Sequence, residues 1–241
     1  MKIMHRLLLV TGLLLSLSLS AAAQSPEAAI KKLLQQRIGD SAVVEFVAKT
    51  PYSGLYEVKI GNEIVYTDAN AKYVFVGRIV DAETSQDFTQ ARLDEINRIK
   101  FSDLPLEAAL KTVKGNGKRV FAVFEDPNCS YCKRFRKNIS DLKDVTIYTF
   151  MYNILSEDSK LKSKNIWCSA DRSKAWDNWM LNDKIPAAAP ESCTTTPNEK
   201  VLELGRKLKV TGTPTIFFAD GSRVPGAIDA KTLEAKLAAI K

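Results

Sequence analysis

Two cysteines three positions apart, Cys129 and Cys132, follow the apolar run "RVFAVFE" in the segment "FEDPNCSYC". The run predicts a buried strand that ends just before a helix beginning near Cys129. A cysteine at the start of a helix faces unpaired N–H groups and the positive end of the helix dipole, which stabilise a thiolate. One helical turn also brings the second sulfur within reach of the first. The spacing therefore predicts a redox pair, with Cys129 as nucleophile and Cys132 as resolving thiol.

A Cys-x-x-Cys pair is also half of a zinc site, and it can be an inert bridge. The two remaining cysteines, Cys168 and Cys193, lie 25 positions apart and form no second pair of this kind. The only histidine is His5, near the amino terminus. The redox interpretation is therefore favoured over zinc and over an inert bridge. No metal or other cofactor is expected.

The second cysteine pair, Cys168 and Cys193, is expected to form a structural disulfide bond. Such a bond would close a loop of 25 positions around the segment "NIWCSADRSKAWDNWM". A second redox pair is the alternative, but these cysteines lack the helix-start spacing that activates a thiolate.

The segment "KVTGTPTIFF" places Thr213 and Pro214 just before another predicted strand. Proline there cannot donate to the sheet ladder. A cis Thr213–Pro214 bond would turn the chain sharply and leave backbone groups free to pair with an extended substrate. An ordinary trans proline that opens the strand is the alternative, and the sequence alone favours it because cis is the minority form.

The amino-terminal residues "MKIMHRLLLVTGLLLSLSLSAAAQ" fit a secretory signal peptide over residues 1–23, cleaved after Ala23. The alternative, an uncleaved anchor, is weaker because the apolar run is short for a bilayer. Export places the cysteines in an oxidising compartment. Without Lys2 and Arg6 the formal charge of +7 becomes +5. The dispersed basic residues do not indicate nucleic-acid binding.

The rest of the chain divides into two folded parts. Residues 24–84 combine one amphipathic helix with several strand-like runs, including "YVFVGRIVDA", and predict a small α+β domain. Residues 85–101 predict a mostly polar linker helix. Residues 102–241 begin with a predicted helix, "LPLEAALKTV", and then alternate strands and helices. This alternation predicts an α/β layer fold.

Together, "FEDPNCSYCKRF", "TGTPT", "IWCSADRSKAWD" and "VPG" resemble the DsbC family of periplasmic disulfide isomerases over nearly the whole mature chain. The resemblance implies a thioredoxin-like catalytic domain with a helical insertion, preceded by a cystatin-like dimerisation domain. It implies a V-shaped homodimer whose apolar cleft holds unfolded chains like a chaperone. It also implies a cis Pro214 beside the cysteines, with Thr213, Pro214 and Tyr131 contacting substrate.

The same resemblance implies misoxidised secreted proteins as substrates and a membrane reductant of the DsbD type as electron donor. Two alternatives stay open: a DsbG-type protein that protects single thiols, and a chaperone whose redox site is incidental. A monomeric oxidase is disfavoured, because residues 24–84 would then have no purpose.

The sequence departs from the family pattern at the dipeptide between the cysteines, where Ser130-Tyr131 replaces the usual Gly-Tyr. Thioredoxin-like enzymes also often carry an acid six residues before the first cysteine, where this chain has Val123. Glu125 and Asp126 lie closer to Cys129. We expect both to be solvated acids at the end of a strand, with proton transfer as the alternative role.

Overall fold

The structure, a computed structural model, describes residues 25–240. The predicted signal peptide, residues 1–23, and His5 lie outside the described residues. The chain forms two compact units, one ending at Gly77 and the other beginning at Arg78. The second unit therefore contains residues 85–101, the predicted linker. Within residues 25–240, no helix is both long and apolar enough to cross a membrane.

The first unit packs one helix on an antiparallel sheet. Its elements are α1 (Pro26–Ile38), β1 (Val44–Lys49), β2 (Tyr56–Ile60), β3 (Glu63–Thr67) and β4 (Val74–Phe75), and the strands lie in that order. Ser25 caps α1 by accepting a hydrogen bond from the Ala28 N–H. Ile30 and Leu34 of α1 pack against Val44 and Val58 of the sheet, which fixes the small core.

The predicted strand "YVFVGRIVDA" is wrong for most of its length, because only Val74 and Phe75 form a strand. Both side chains are half exposed, and Val76 is 80% exposed. β4 pairs only with β3, so it is the edge of this sheet. The alternating apolar residues therefore cover no core within the described part of the chain.

The second unit is built on a five-stranded sheet with helices on both faces. Its strands lie in the order β5-β7-β6-β8-β9, with β6 parallel to β7 and every other neighbouring pair antiparallel. In chain order the elements are α2 (Phe88–Ile96), β5 (Leu110–Lys114), β6 (Arg119–Glu125), α3 (Ser130–Asn138), β7 (Val145–Met151), α4 (Glu157–Trp167), α5 (Arg172–Asn182), α6 (Asn198–Lys207), β8 (Thr215–Phe218), β9 (Arg223–Pro225) and α7 (Ala230–Ala239).

Strand β6 shows why this sheet is covered on both faces. Phe121 and Val123 pack into the cluster formed with α3 and α7, whereas Ala122 and Phe124 pack into the cluster formed with α6. Successive side chains of a strand point to opposite faces, so a continuous apolar run fits a strand with two buried faces. This burial fixes the end of β6, and hence the start of α3.

The predicted helix "LPLEAALKTV" is wrong. Residues Leu106–Ala108 form a single 3₁₀ turn, and Leu110–Lys114 form β5, which pairs with β7. Pairing with β7 satisfies the backbone groups of this edge strand that face β7, and Leu110 is buried. Tertiary pairing here overrides the helix propensity of the Leu, Ala and Lys residues.

The polar helix predicted over residues 85–101 is shorter in the structure, where α2 covers Phe88–Ile96. Beyond it, the Ile99 N–H donates to the Gly221 carbonyl at 3.0 Å in the turn between β8 and β9. Gly221 has a φ of +82°, and a Cβ at this position would lie 2.0 Å from the Ile99 carbonyl oxygen. Glycine is therefore required for this approach.

Helices α4 and α5 form a helical insertion between β7 and α6. Ile166, Trp176 and Met180 of this helical insertion pack in one cluster with Cys129 and Cys132. The insertion therefore lies directly against the predicted redox pair.

Candidate active site

Cys129 is the N-cap of α3, at the end of the short loop that follows β6. Its Sγ accepts a hydrogen bond from the Cys132 N–H at 3.3 Å. This contact uses one of the free N–H groups that a helix presents at its first turn. The predicted start of the helix and the predicted position of the first sulfur are therefore both seen in the structure.

The loop containing Thr213 and Pro214 lies against the same sulfur. The Cys129 thiol donates to the Thr213 carbonyl oxygen at 3.3 Å. The Thr213–Pro214 peptide bond is cis, so the trans form that the sequence alone favours is wrong. The Pro214 carbonyl accepts from the Gly226 N–H at 2.7 Å, which holds this loop against the residue after β9.

The two thiols differ strongly in acidity. Hydrogen bonds from the Cys132 side chain, then from the Thr213 side chain and the backbone, lower the pKa of Cys129 to about 6. Burial raises the pKa of the fully buried Cys132 thiol far above its usual value, and the nearby Glu125 carboxyl adds to the effect. Near neutral pH, Cys129 is therefore a thiolate and Cys132 a thiol.

Both thiols are free, and neither is widely open to solvent. Cys129 is 6% exposed and Cys132 is 0% exposed. Of the two cysteines, therefore, only Cys129 has any exposed surface.

The expectation that Glu125 and Asp126 are solvated is wrong, because both side chains are fully buried. Glu125 Oε2 accepts a hydrogen bond from Arg136 Nε at 2.8 Å, and Arg136 Nη2 lies 2.7 Å from the same oxygen. Arg136 also donates to the Thr149 hydroxyl. The other carboxylate oxygen of Glu125, Oε1, is buried and has no hydrogen-bond partner in the structure.

The Glu125–Arg136 ion pair lies beneath Cys132. Arg136 is four residues after Cys132 on α3, so the two side chains share one face of the helix. Burial raises the pKa of Glu125, while Arg136 opposes this shift. Sequence reasoning missed Arg136, although its four-residue spacing from Cys132 was a usable signal.

Asp126 has a different environment from Glu125. Its Oδ1 accepts from the Asn128 N–H at 2.7 Å and from the Ser159 hydroxyl at 2.8 Å, while Oδ2 accepts from the Leu155 N–H at 2.9 Å. Hydrogen bonds from protein donors therefore satisfy both oxygens. Asp126 fixes the loop before Cys129, and no oxygen of it is left without a partner.

Tyr131, between the two cysteines, is 59% exposed. The Arg134 guanidinium carbon lies 5.3 Å from the centre of its ring. A cleft of about 410 Å³ opens beside this ring, and its walls include Tyr131, Arg134, Asn138, Thr213, Ala227 and Ile228. The cleft therefore begins at the same Thr213 that contacts Cys129.

Cys168 and Cys193 form a disulfide bond. Cys168 is the C-cap of α4, and the closed loop contains the whole of α5. Within residues 25–240, no group of three or more His, Cys, Asp or Glu side chains is placed to hold a metal ion.

Comparison with known proteins gives two family matches. The family described as the disulfide bond isomerase protein N-terminal domain matches residues 21–90. The family described as a thioredoxin-like domain matches residues 106–241. The second match contains both cysteine pairs and the cis proline.

Named relatives agree with these matches. A probable thiol:disulfide interchange protein DsbC of Bordetella parapertussis is 46% identical over 90% of this chain and 77% of its own length. The thiol:disulfide interchange protein DsbC of Escherichia coli is 27% identical over 86% of this chain and 85% of its own. A crystal structure of a disulfide interchange protein from Neisseria gonorrhoeae is 36% identical, with a TM-score of 0.53 over 56% of this chain and 97% of that one.

Proposed function

This chain belongs to the DsbC family of thiol:disulfide interchange proteins and is a disulfide isomerase with a thioredoxin-like domain, and we propose that Cys129 is its nucleophile. One observation carries the proposal: Cys129 is the N-cap of α3, and its pKa is lowered to about 6. A thiolate is the attacking form in disulfide exchange.

In the first step, the Cys129 thiolate attacks one sulfur of a mispaired disulfide in a client protein. A bond forms between Cys129 and that sulfur, the client disulfide breaks, and the other client sulfur leaves as a thiolate. The freed client thiolate then attacks a second client disulfide, or the mixed disulfide itself. When the mixed disulfide is attacked, Cys129 returns as a thiolate and no net oxidation has occurred.

Cys132 supplies an alternative outcome, which is net reduction. Its thiolate attacks Cys129, a Cys129–Cys132 disulfide forms, and the client sulfur leaves with the bonding electrons. The Cys132 proton must first be removed. The base best placed to accept it is the Glu125 carboxylate, whose Oε1 is buried and has no hydrogen-bond partner. Asp126 is less suited, because its oxygens already accept three hydrogen bonds.

Client chains are proposed to bind across Thr213, Pro214 and Tyr131. The exposed ring of Tyr131 and the cleft beside it offer apolar surface next to the nucleophile. The client disulfide would lie over Cys129 while the neighbouring residues extend into this cleft.

The protein is proposed to act in the periplasm after removal of residues 1–23. An oxidising compartment supplies the misoxidised secreted clients, and it also tends to oxidise the Cys129–Cys132 pair. The cycle therefore needs a dedicated electron donor, for which a membrane reductant of the DsbD type is the candidate. We propose that residues 24–84 are a dimerisation domain, residues 85–101 a linker and residues 102–241 the catalytic domain.

A homodimer through the first unit has physical support in its exposed sheet edge. Tyr73, Val74, Phe75 and Val76 are each at least half exposed along β4. An apolar sheet edge of this kind favours pairing with another strand. Val74→Lys is expected to lower the sedimentation mass from dimer to monomer, and an unchanged mass would remove this support.

The isomerase assay uses a scrambled, fully oxidised multi-disulfide enzyme in glutathione buffer, with catalytic amounts of the protein. Recovery of the client enzyme is expected to be fast and to vanish in Cys129→Ala. Cys132→Ala is expected to keep part of this recovery, because isomerisation needs one nucleophile only, but to lose net reduction of clients. Equal recovery with Cys129→Ala would contradict the proposed role of Cys129.

A chaperone with an incidental redox site is the second candidate, and the exposed ring of Tyr131 with the cleft beside it is what favours it. It predicts that Cys129→Ala still suppresses aggregation of a client that contains no cysteine. A DsbG-type protector of single thiols predicts instead that a client with one oxidised cysteine is reduced faster than scrambled clients are corrected.

A further inference from the structure

The three residues before the nucleophile, Asp126, Pro127 and Asn128, are here called the Cys129 loop. They join β6 to α3, and the Cys129 N–H donates to the Asp126 carbonyl at 3.0 Å. The backbone of the Cys129 loop therefore decides where the Cys129 sulfur lies. Each of its residues also makes a hydrogen bond to the helical insertion or to the segment that leads into it.

Asp126 and Asn128 hold the Cys129 loop on the side of α4. Asp126 accepts from the Leu155 N–H and from the Ser159 hydroxyl. The Asn128 side-chain amide donates to Asp158 Oδ2 at 2.7 Å and to the Ser159 hydroxyl at 3.1 Å. The first turn of α4 thus binds both ends of the Cys129 loop.

Trp179 of α5 holds the middle of the Cys129 loop. Its Nε1–H donates to the Pro127 carbonyl at 2.6 Å. Two lysines lie against its ring, with Nζ of Lys133 3.9 Å and Nζ of Lys162 4.6 Å from the ring centre. Lys133 is the residue after Cys132 and also pairs with Asp183, at the end of α5. The ring is therefore bound to the Cys129 loop and to α3 at once.

We propose that Trp179 is a positioning residue, which uses its indole N–H to hold the Pro127 carbonyl and so keeps the Cys129 sulfur beside the Cys132 N–H. This inference rests on the proposed role of Cys129 as nucleophile. The Sγ–N distance of 3.3 Å is that of a well-formed N–H···S contact, and the position of the sulfur in this contact depends on the backbone of the Cys129 loop, so a displacement of the loop lengthens and weakens it. Loss of that contact disfavours the thiolate.

Trp176 provides a matched control in the same helix. It is 1% exposed, it packs in the same cluster as the two cysteines, and its Nε1 has no hydrogen-bond partner in the structure. Trp176→Phe removes indole volume near the site without removing a hydrogen bond. Trp179→Phe keeps an aromatic ring under the lysines and removes the bond to Pro127.

Neither substitution removes a charged group around the dithiol, and Trp176→Phe keeps an aromatic ring beside Arg136, whose guanidinium carbon lies 5.9 Å from the centre of the Trp176 ring. Glu125 and Arg136 remain beneath Cys132, and Lys133, Lys162 and Asp158 remain around the Cys129 loop. A change in the titration of Cys129 would therefore report on the position of the sulfur rather than on a lost charge.

The experiment is the pH dependence of iodoacetamide alkylation of Cys129 in the reduced full chain, with the modified residue identified by mass spectrometry. Wild type is expected to titrate at about 6. Trp179→Phe is expected to titrate about one pH unit higher, so alkylation at pH 6 falls about fivefold and changes less than about twofold at pH 9. Trp176→Phe is expected to follow wild type.

Ser159→Ala is a second test, which applies also where Trp179→Phe fails to fold. It removes the hydroxyl donor to Asp126 in the Cys129 loop and is expected to shift the titration of Cys129 in the same direction, and an unchanged profile in this folded variant would also overturn the proposal. An unchanged profile in a folded Trp179→Phe overturns the proposal, and so does an equal shift in Trp176→Phe. A wild-type profile without an inflection near pH 6 would instead contradict the proposed nucleophile.

Discussion

The two cysteine pairs lie in the same unit of the molecule, but the first cysteine of each pair lies at a different end of its helix. Cys129 is the N-cap of α3, whereas Cys168 is the C-cap of α4. A helix favours a negative charge at its amino end and disfavours one at its carboxyl end. The start of α3 therefore favours a thiolate at Cys129, whereas Cys168 is bonded to Cys193 at a helix end that offers no such stabilisation. We accordingly expect the position on the helix, more than the residue type, to decide which pair is reactive.

Burial strengthens this contrast. Cys132 packs at 0% exposure above a buried ion pair, while Cys168 and Cys193 are only partly buried and lie outside the main clusters. The first pair is thus embedded in a polarised environment. The second pair joins a helix end to a coil segment.

The largest expected effect on stability follows from removing the cation beneath the first pair. Arg136→Met leaves Glu125 buried without its partner, which costs about 3–5 kcal/mol of the free energy of unfolding. Urea denaturation of the reduced protein measures the loss. Glu125→Gln combined with Arg136→Met should recover much of it, because no isolated charge remains. A loss below about 1 kcal/mol in Arg136→Met would mean that Glu125 becomes protonated or hydrated at little cost.

Removing the Cys168–Cys193 disulfide is expected to lower stability by as much as Arg136→Met or less, and to leave the reactivity of Cys129 unchanged. Cys168→Ala with Cys193→Ala is expected to lower the free energy of unfolding by about 3–4 kcal/mol in the loop-entropy account. Under conditions where the variant stays folded, Cys129 should still react as a thiolate. Loss of Cys129 reactivity in a fully folded double variant would contradict the separation of the two pairs.

A smaller effect concerns the pH dependence of stability. The folded pKa of Cys129, about 6, lies below that of an ordinary thiol, so its contribution is present at high pH and is lost as the pH falls through about 6. The difference in unfolding free energy between reduced wild type and Cys129→Ser should therefore grow from pH 6 to about pH 8.5. A difference that stays constant over this range would show that folding does not shift the pKa of Cys129.

The sequence predicts the redox pair and its strand-to-helix junction because both signals are local. The apolar run of β6 and the three-residue spacing of Cys129 and Cys132 lie within the 14 residues from Arg119 to Cys132. The helix wrongly predicted at "LPLEAALKTV" has good local propensity, but its residues pair with β7, far along the chain. Distant pairing of this kind leaves no local signal.

The contacts of the site that the sequence did not predict also join residues that are distant in sequence or meet only in the folded chain. Glu125 meets Arg136 only after α3 packs on the sheet, and Trp179 meets Pro127 across 52 positions of sequence. The cis form of Pro214 opposes its local base rate, and only the family resemblance predicted it. Sequence reasoning thus found the reactive atoms and missed most of the groups that set their acidity.

The most direct measurement is the ultraviolet absorbance of the Cys129 thiolate as a function of pH, in reduced wild type and in Cys129→Ser. We expect a transition centred at about 6 that is absent from the variant, since burial raises the pKa of the Cys132 thiol far above that of Cys129. A single transition at about 8.5, the value of an ordinary thiol, would contradict the claim that the start of α3 makes Cys129 the nucleophile.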